Sequence, residues 1–212
     1  MATESMKNPE LAAIEIEDMS RGTMIMKGAL AAAAVYGTFA AGPLVRRALA
    51  QDNGGDEDIL NYALTLEYLE AAFYEQAQQE VPNLRVEVAD LAKLIGDHET
   101  QHVDSLTGAI EDLGGMPVDA PKVDFGKAFA NEEAFLALAQ TFEDTGVSAY
   151  NGAAPMISSK EVLGSAGAIV QVEARHAATI RLQRGESPAP EAFDMDLSME
   201  EVLKAVQPFV KS

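Results

Sequence analysis

Two of the three histidines in this chain sit three residues after a glutamate, in Glu99-Thr100-Gln101-His102 and Glu173-Ala174-Arg175-His176. On a helix, positions i and i+3 share a face, so each pair presents a carboxylate and an imidazole to one point. Such a pair on the apolar side of a helix cannot pack as ordinary core, because buried ionisable groups are costly unless paired or bound to a metal. Two helices of this kind, facing each other, make half of a carboxylate-bridged dimetal centre. The other half is one glutamate from each of two further helices. His98 opens a competing reading: His98-Glu99-Thr100-Gln101-His102 is a His-Glu-x-x-His pattern, with zinc ligands at i and i+4 and a glutamate base, as in metalloproteases. Zinc proteolysis has no use for a second Glu-x-x-His, whereas a dimetal bundle requires it.

Composition points the same way. The chain has 212 residues, 48% of them hydrophobic, with no tryptophan and only 6% aromatics, which suits one domain with a real core. Ala, Leu, Glu and Gln dominate its middle and favour helix, while strand-like alternation is hard to find. An all-α fold is expected. The formal charge of −19 argues against nucleic acid or an anionic membrane surface as a partner, since phosphate contacts need clustered Lys and Arg. The absence of cysteine excludes disulfides, thiolate metal sites and cysteine nucleophiles.

Residues 1–50 read as a separate unit. Gly28 to Val45 is uncharged and rich in Ala, Gly and Val, and Ala48-Leu49-Ala50 has the small-x-small form of a cleavage site. Ser20 to Lys27 resembles a twin-arginine export motif with Gly22 in place of the second arginine. The expectation is an export signal cleaved near Ala50 and a periplasmic or extracellular mature protein, with no stable membrane embedding after cleavage. Left uncleaved, the same segment would serve as an Ala-rich anchor. Five basic and five acidic residues fall in this unit, so the acidic excess belongs to the rest.

After a polar linker, 51–56, whose Asp56 is suited to cap a helix, helical spacing runs from about Glu57 to Glu80. A second helix spans about Leu84 to Leu113, where Gly114-Gly115 ends it. Met116 to Ala130 holds Pro117, Pro121 and Gly126 and no clear periodicity. Helices three and four run from near Asn131 to before Pro155 and from about Ser159 to Arg184. The tail, 186–212, has room for one short helix, Met199 to Val206. This order predicts an antiparallel four-helix bundle over 57–185, with one long crossover between helices 2 and 3, as ferritin-like bundles have.

The two halves echo each other. Glu67 is followed by Tyr74 and then Glu99-x-x-His102; Glu143 is followed by Tyr150 and then Glu173-x-x-His176. Glu67 lies about 15 residues before the first turn and Glu99 about 17 after it; Glu143 and Glu173 lie about 14 and 16 from the second. At about 1.5 Å per residue, all four meet near mid-bundle. Spacing tolerates Glu70 as well as Glu67. Tyr74 and Tyr150 read as core aromatics with bonded hydroxyls beside the site. His98 is expected at the edge of the stripe, adjacent to the site or solvated, and Asp144 and Arg175 on solvated faces.

Leu66-Glu67-Tyr68-Leu69-Glu70-Ala71-Ala72-Phe73-Tyr74, Glu99 to His102, Phe142-Glu143-Asp144-Thr145-Gly146 and Val172-Glu173-Ala174-Arg175-His176 together resemble the ferritin-like domain family, over roughly residues 56–185. The branch they look most like is the exported bacterial one related to desiccation-related proteins. The resemblance implies Glu67, Glu99, His102, Glu143, Glu173 and His176 as metal ligands, with Glu70 an alternate or neighbouring carboxylate. It implies two Fe or Mn ions, whose charge four carboxylates balance and whose preference for oxygen and imidazole donors the set meets. The expected function is an oxidase, ferroxidase or peroxide-consuming centre that handles O2, peroxide or Fe(II) under oxidative or desiccation stress. Its partners would then be metal ions and small oxidants, and a homo-oligomer is compatible with the sequence. A manganese catalase-like enzyme, a stress-protective bundle without turnover and the zinc protease are the alternatives.

Overall fold

A computed structural model describes residues 55–211. The expected export segment, with its expected cleavage site near Ala50, and linker positions 51–54 lie outside the described residues. Those described form α1 (Asp56–Glu80), α2 (Val86–Asp112), α3 (Glu132–Ala153), α4 (Lys160–Gln183) and α5 (Met199–Val206), and no strand.

Each helix follows from its apolar spacing and its ends. In α2 the buried positions are Val88, Ala92, Ile95, Glu99, His102, Leu106 and Ile110, a stripe at three- and four-residue intervals. In α4 they are Val162, Ala166, Ile169, Glu173, His176, Ala177 and Ile180. Both helices stop the same way. Gly114 and Gly185 take positive φ, 78° and 75°, and Gly115 N–H returns to the Ile110 carbonyl as Glu186 N–H returns to that of Arg181. This is the glycine-terminated cap that satisfies the last carbonyls of a helix. At the starts, Asn131 accepts from Ala134 N–H and Ser159 from Glu161 and Val162 N–H.

Asp56 departs from expectation. It is the first residue of α1, and Gly55 holds the cap position. Its carboxylate instead accepts from the backbone N–H groups of Ser158 and Ser159, both at 2.7 Å. An anion is favoured where helix N–H groups are unpaired, and the start of α4 lies beside that of α1.

The topology is set by such end-to-end contacts. Arg85, just before α2, pairs with Glu132, the first residue of α3, at 2.6 Å, so α2 and α3 begin at the same end. The chain between them must return along a 27-residue helix, about 40 Å at 1.5 Å per residue. Residues 113–131 cover that at about 3.3 Å per extended residue with some to spare. The crossover is therefore long because the bundle is long.

The crossover and the tail are both part of the core. Phe73 of α1 packs against Phe125 and Phe129 of the crossover and Phe135 and Phe142 of α3, with ring centroids 5.0–5.4 Å apart. Phe209 closes on Phe125 and Phe142. Val123 and Val210 form an antiparallel bridge, and Val202, Leu203 and Val206 of α5 are buried. The segment ahead of α5 crosses α3 so tightly that a Cβ on Gly152 would meet the Leu197 carbonyl oxygen at 1.9 Å. Among the described residues no helix is long and apolar enough to cross a membrane.

Along α2 and α4 the buried stripe is apolar at both ends and polar in the middle. One apolar cluster contains Ile95 and Ile180, the other Leu106 and Ile169. Glu99, His102, Glu173 and His176 fall between them. That layer is where the chemistry lies.

Candidate metal centre

Four helices deliver one layer of ionisable groups: Glu67 and Glu70 from α1, Glu99 and His102 from α2, Glu143 from α3, Glu173 and His176 from α4. All are buried, and Glu99, Glu143 and Glu173 have no exposure at all. Within the layer, two groups of four offer ligand atoms lying within 4.8 Å of one another: Glu67, Glu99, His102 and Glu173, and Glu99, Glu143, Glu173 and His176. Glu99 and Glu173 belong to both groups. All six residues singled out in the sequence are thus brought together, and Glu70 is the one carboxylate of the layer outside both quartets.

The oxygens divide in an ordered way. Glu99 turns Oε2 to His102 Nδ1 and Oε1 to His176 Nδ1, both at 3.0 Å. Glu173 turns Oε1 to His102 Nδ1 at 3.0 Å and Oε2 to His176 Nδ1 at 3.8 Å. Glu67 Oε2 faces His102 alone at 3.2 Å, and Glu143 Oε2 faces His176 alone at 3.3 Å. Each Nδ1 meets three carboxylate oxygens yet can donate one hydrogen at most. Accordingly Glu99 Oε1, Glu143 Oε2, both Glu173 oxygens and His176 Nδ1 are buried without an aligned hydrogen bond. Buried polar atoms are nearly always satisfied, and cations between these atoms would satisfy them. The donor set, oxygen and imidazole without sulfur, fits Fe or Mn.

Protonation reflects the crowding. Burial opposes a charge on His102, but the carboxylates of Glu173, Glu67 and Glu99 set around its Nδ1 overcome it and push the imidazole up to about 12. His176 is also raised to about 12 against burial, by Glu143, Glu173 and Glu99. Burial raises the Glu143 carboxyl to about 8, and burial with the Glu173 charge raises Glu67 well above the carboxylate range. Glu99 goes the other way: despite burial, His102 and His176 draw it down to about 2. The two imidazoles stand in for the positive charge that ions would bring.

A ring of contacts surrounds the six. The Tyr150 hydroxyl donates to Glu67 Oε1 at 2.5 Å, and the Tyr74 hydroxyl donates to Glu143 Oε1. Glu67 and Glu143 are each thereby held by one oxygen while the other faces the cluster. His98 is half-buried and belongs to neither quartet. Its Nδ1 lies 2.9 Å from His176 Nε2, and the two rings stack at 5.2 Å. Asp144 is not fully solvated: it pairs with Arg181 across α3 and α4 at 2.5 Å, while Arg175 is exposed.

Gly146, the last residue of the Phe142–Gly146 motif, shapes the site. A Cβ there would lie 3.2 Å from Glu70 Oε1 and 3.5 Å from Glu173 Oε2. Two glutamates and a glycine in one buried layer were the available signal. The side-chain directions that join them were not readable from spacing.

Comparison of the chain with curated proteins returns no match. The sequence profile of the ferritin-like domain matches residues 55–186, more than half of the chain, including every residue of the layer. With its all-helical fold and its buried carboxylate and histidine cluster, able to hold metal, the chain belongs to the ferritin-like domain family.

Proposed function

We propose that the layer is a dimetal-carboxylate centre. Glu99 and Glu173 would bridge two ions, with Glu67 and His102 completing one site and Glu143 and His176 the other. One observation carries this reading: each of Glu99 and Glu173 turns one oxygen to each imidazole. Two divalent Fe or Mn ions bring a charge of +4, which the four carboxylates balance, and such a pair would supply redox chemistry toward O2, peroxide or Fe(II).

The chain's own part is to hold that pair in a dry, rigid setting. Tyr150 and Tyr74 fix the rotation of the terminal carboxylates, His98 holds His176 through its outer nitrogen, and the apolar clusters above and below exclude water. Orienting partners of this kind raise the basicity of ligands and fix their geometry. The zinc protease reading needs His98 and His102 on one ion, whereas His98 contacts the far nitrogen of His176. Residues 1–50 support an exported site of action, with oxidative or desiccation stress as the setting, and N-terminal sequencing of secreted protein would locate the cleavage.

Metal analysis of the purified protein after loading with Fe(II) or Mn(II) tests the assignment. Two ions per chain are expected, reduced to one or none in Glu99→Ala. Unaltered binding in Glu99→Ala, or no ion in the wild type, would refute it. Oxygen release from peroxide by the Mn-loaded protein would mark the catalase-like activity.

A further inference from the structure

The layer is not closed equally on all sides. The side chains of Glu67, Glu99, Glu143 and Glu173 are 0–1% exposed, whereas those of His102 and His176 are 11% and 6% exposed. Solvent therefore reaches the layer from the imidazole side. The other sides are shut. Between α1 and α2 the helices approach so closely that a Cβ on Gly96 would lie 3.0 Å from the Tyr74 Cβ. Over α1 and α3 lies α5, whose Val202, Leu203 and Val206 join Leu66, Leu69 and Phe142 in one buried cluster. Arg181 of α4 pairs with Asp144 of α3 at 2.5 Å, and the two apolar clusters close the ends.

That leaves the seam between α2 and α4, and His98 stands in it. Its Nδ1 lies 2.9 Å from His176 Nε2, and its ring stacks on that of His176 with 17° between the planes. His176 turns its other nitrogen to Glu99, Glu143 and Glu173, so His98 is the next group outward from the layer. Gln101 and Ser105 lie three and seven residues after His98, on the same side of α2, and both are exposed, as is Arg175 on α4. The two halves differ at this point: four residues before its histidine, α4 has the half-buried Val172 where α2 has His98. Among the described residues the hydrogen bond to His176 is the one that holds the His98 ring. A partly exposed side chain held by one such bond can turn aside by a change of rotamer.

Taking the layer as a dimetal centre, we infer that divalent cations enter and leave it between α2 and α4, with the His98 ring as the door. Closed, the ring lies against His176 and covers the seam. Turned outward, it uncovers the imidazoles, which meet the incoming ion before the buried carboxylates do.

Rates of exchange in the full chain test this. Mn(II) uptake is followed on rapid mixing by loss of the paramagnetic resonance signal of the free ion, and release by transfer to excess chelator. His98→Ala should still bind two ions but take them up about tenfold faster, because association is slow where a conformational change must come first, and release them faster still. A His98 that only supports His176 would speed release and leave uptake alone, and that result would overturn the inference. Val172→Trp, which puts bulk into the seam, should slow uptake and release alike by about tenfold and keep the equilibrium affinity. Thr100→Trp, at an exposed position two residues from His98 and so on the opposite side of α2, should change neither rate. Wild-type uptake in a folded Val172→Trp would also overturn the inference, as would equal slowing by Thr100→Trp; should Val172→Trp not fold, His98→Ala decides alone. A wild type that binds no Mn(II) at equilibrium would instead remove the dimetal assignment itself.

Discussion

The Tyr150 hydroxyl on α3 donates to Glu67 Oε1 on α1 at 2.5 Å, and the Tyr74 hydroxyl on α1 returns the contact to Glu143 on α3. In each helix the tyrosine follows the glutamate by two turns, so an antiparallel pair in register gives each tyrosine the other helix's glutamate. The exchange fixes the register of α1 against α3. It also leaves one free oxygen on each terminal carboxylate, the one that faces its histidine. Structural register and site geometry are therefore the same set of contacts.

Replacing either tyrosine should test that link. Tyr150→Phe leaves Glu67 buried with one hydrogen bond fewer, a loss of about 1–3 kcal/mol. Metal affinity should fall about tenfold as the carboxylate rotates freely. Tyr74→Phe should do the same through Glu143. Denaturant unfolding and metal titration measure both, and unaltered affinity in both variants would show that the hydroxyls merely fill space.

His98 separates the two readings of its motif. His98→Ala removes the partner of His176 Nε2 but none of the atoms in either quartet. Two ions should still bind, with the affinity of one site reduced about tenfold. Complete loss of metal would instead identify His98 as a ligand, as the protease pattern demands. Stepwise titration with Mn(II) distinguishes the outcomes.

The helices and the two Glu-x-x-His pairs were legible because each is a local pattern: an apolar period, a glutamate three residues before a histidine, two halves with matching spacing; the full set of six was what the family resemblance implied. Contacts between distant segments were not. Asp56 looks like a cap for its own helix, yet serves Ser158 and Ser159 more than a hundred positions away. The proline-broken tail shows no sign of covering α3, because the signal for that is a bare helical glycine, Gly152, under Leu197. Glu70 and Glu67 share the same helical spacing, and only side-chain direction sorts one into a quartet and leaves the other beside Gly146.

Gly152 gives a prediction about the tail. An alanine there would drive its Cβ into the Leu197 carbonyl, a backbone atom that cannot rotate aside. Leu197 also donates to the Ser148 carbonyl at 3.1 Å, so the segment entering α5 must lift. Overpacking of this kind costs about 1–3 kcal/mol. Gly152→Ala should lower the unfolding temperature and speed proteolysis at residues 186–198, with two ions still bound. Unchanged stability would mean the tail does not pack on α3 as described.

Stability of the metal-free protein should fall as pH rises from about 5 to 8, and metal should reverse the trend. Glu143 is held up to about 8 by burial, so the folded state keeps a proton that the unfolded chain has released above the ordinary carboxylate range. Glu67 adds to this, since burial and the Glu173 charge also raise it. Where the folded state binds more protons, stability declines with pH. His102 and His176, raised to about 12 against burial by their carboxylates, contribute stability that is complete below the usual imidazole range. That contribution is lost progressively as pH climbs toward 12. Glu99, drawn to about 2 by the histidines despite burial, acts oppositely and sets the acid limit: its contribution is present above the carboxylate range and lost as pH falls through about 2. Bound ions displace the shared protons, so binding should strengthen with pH, and thermal unfolding with and without Mn(II) at pH 5 and 8 should give slopes of opposite sign. Parallel slopes would show that protons and metal do not compete for the layer.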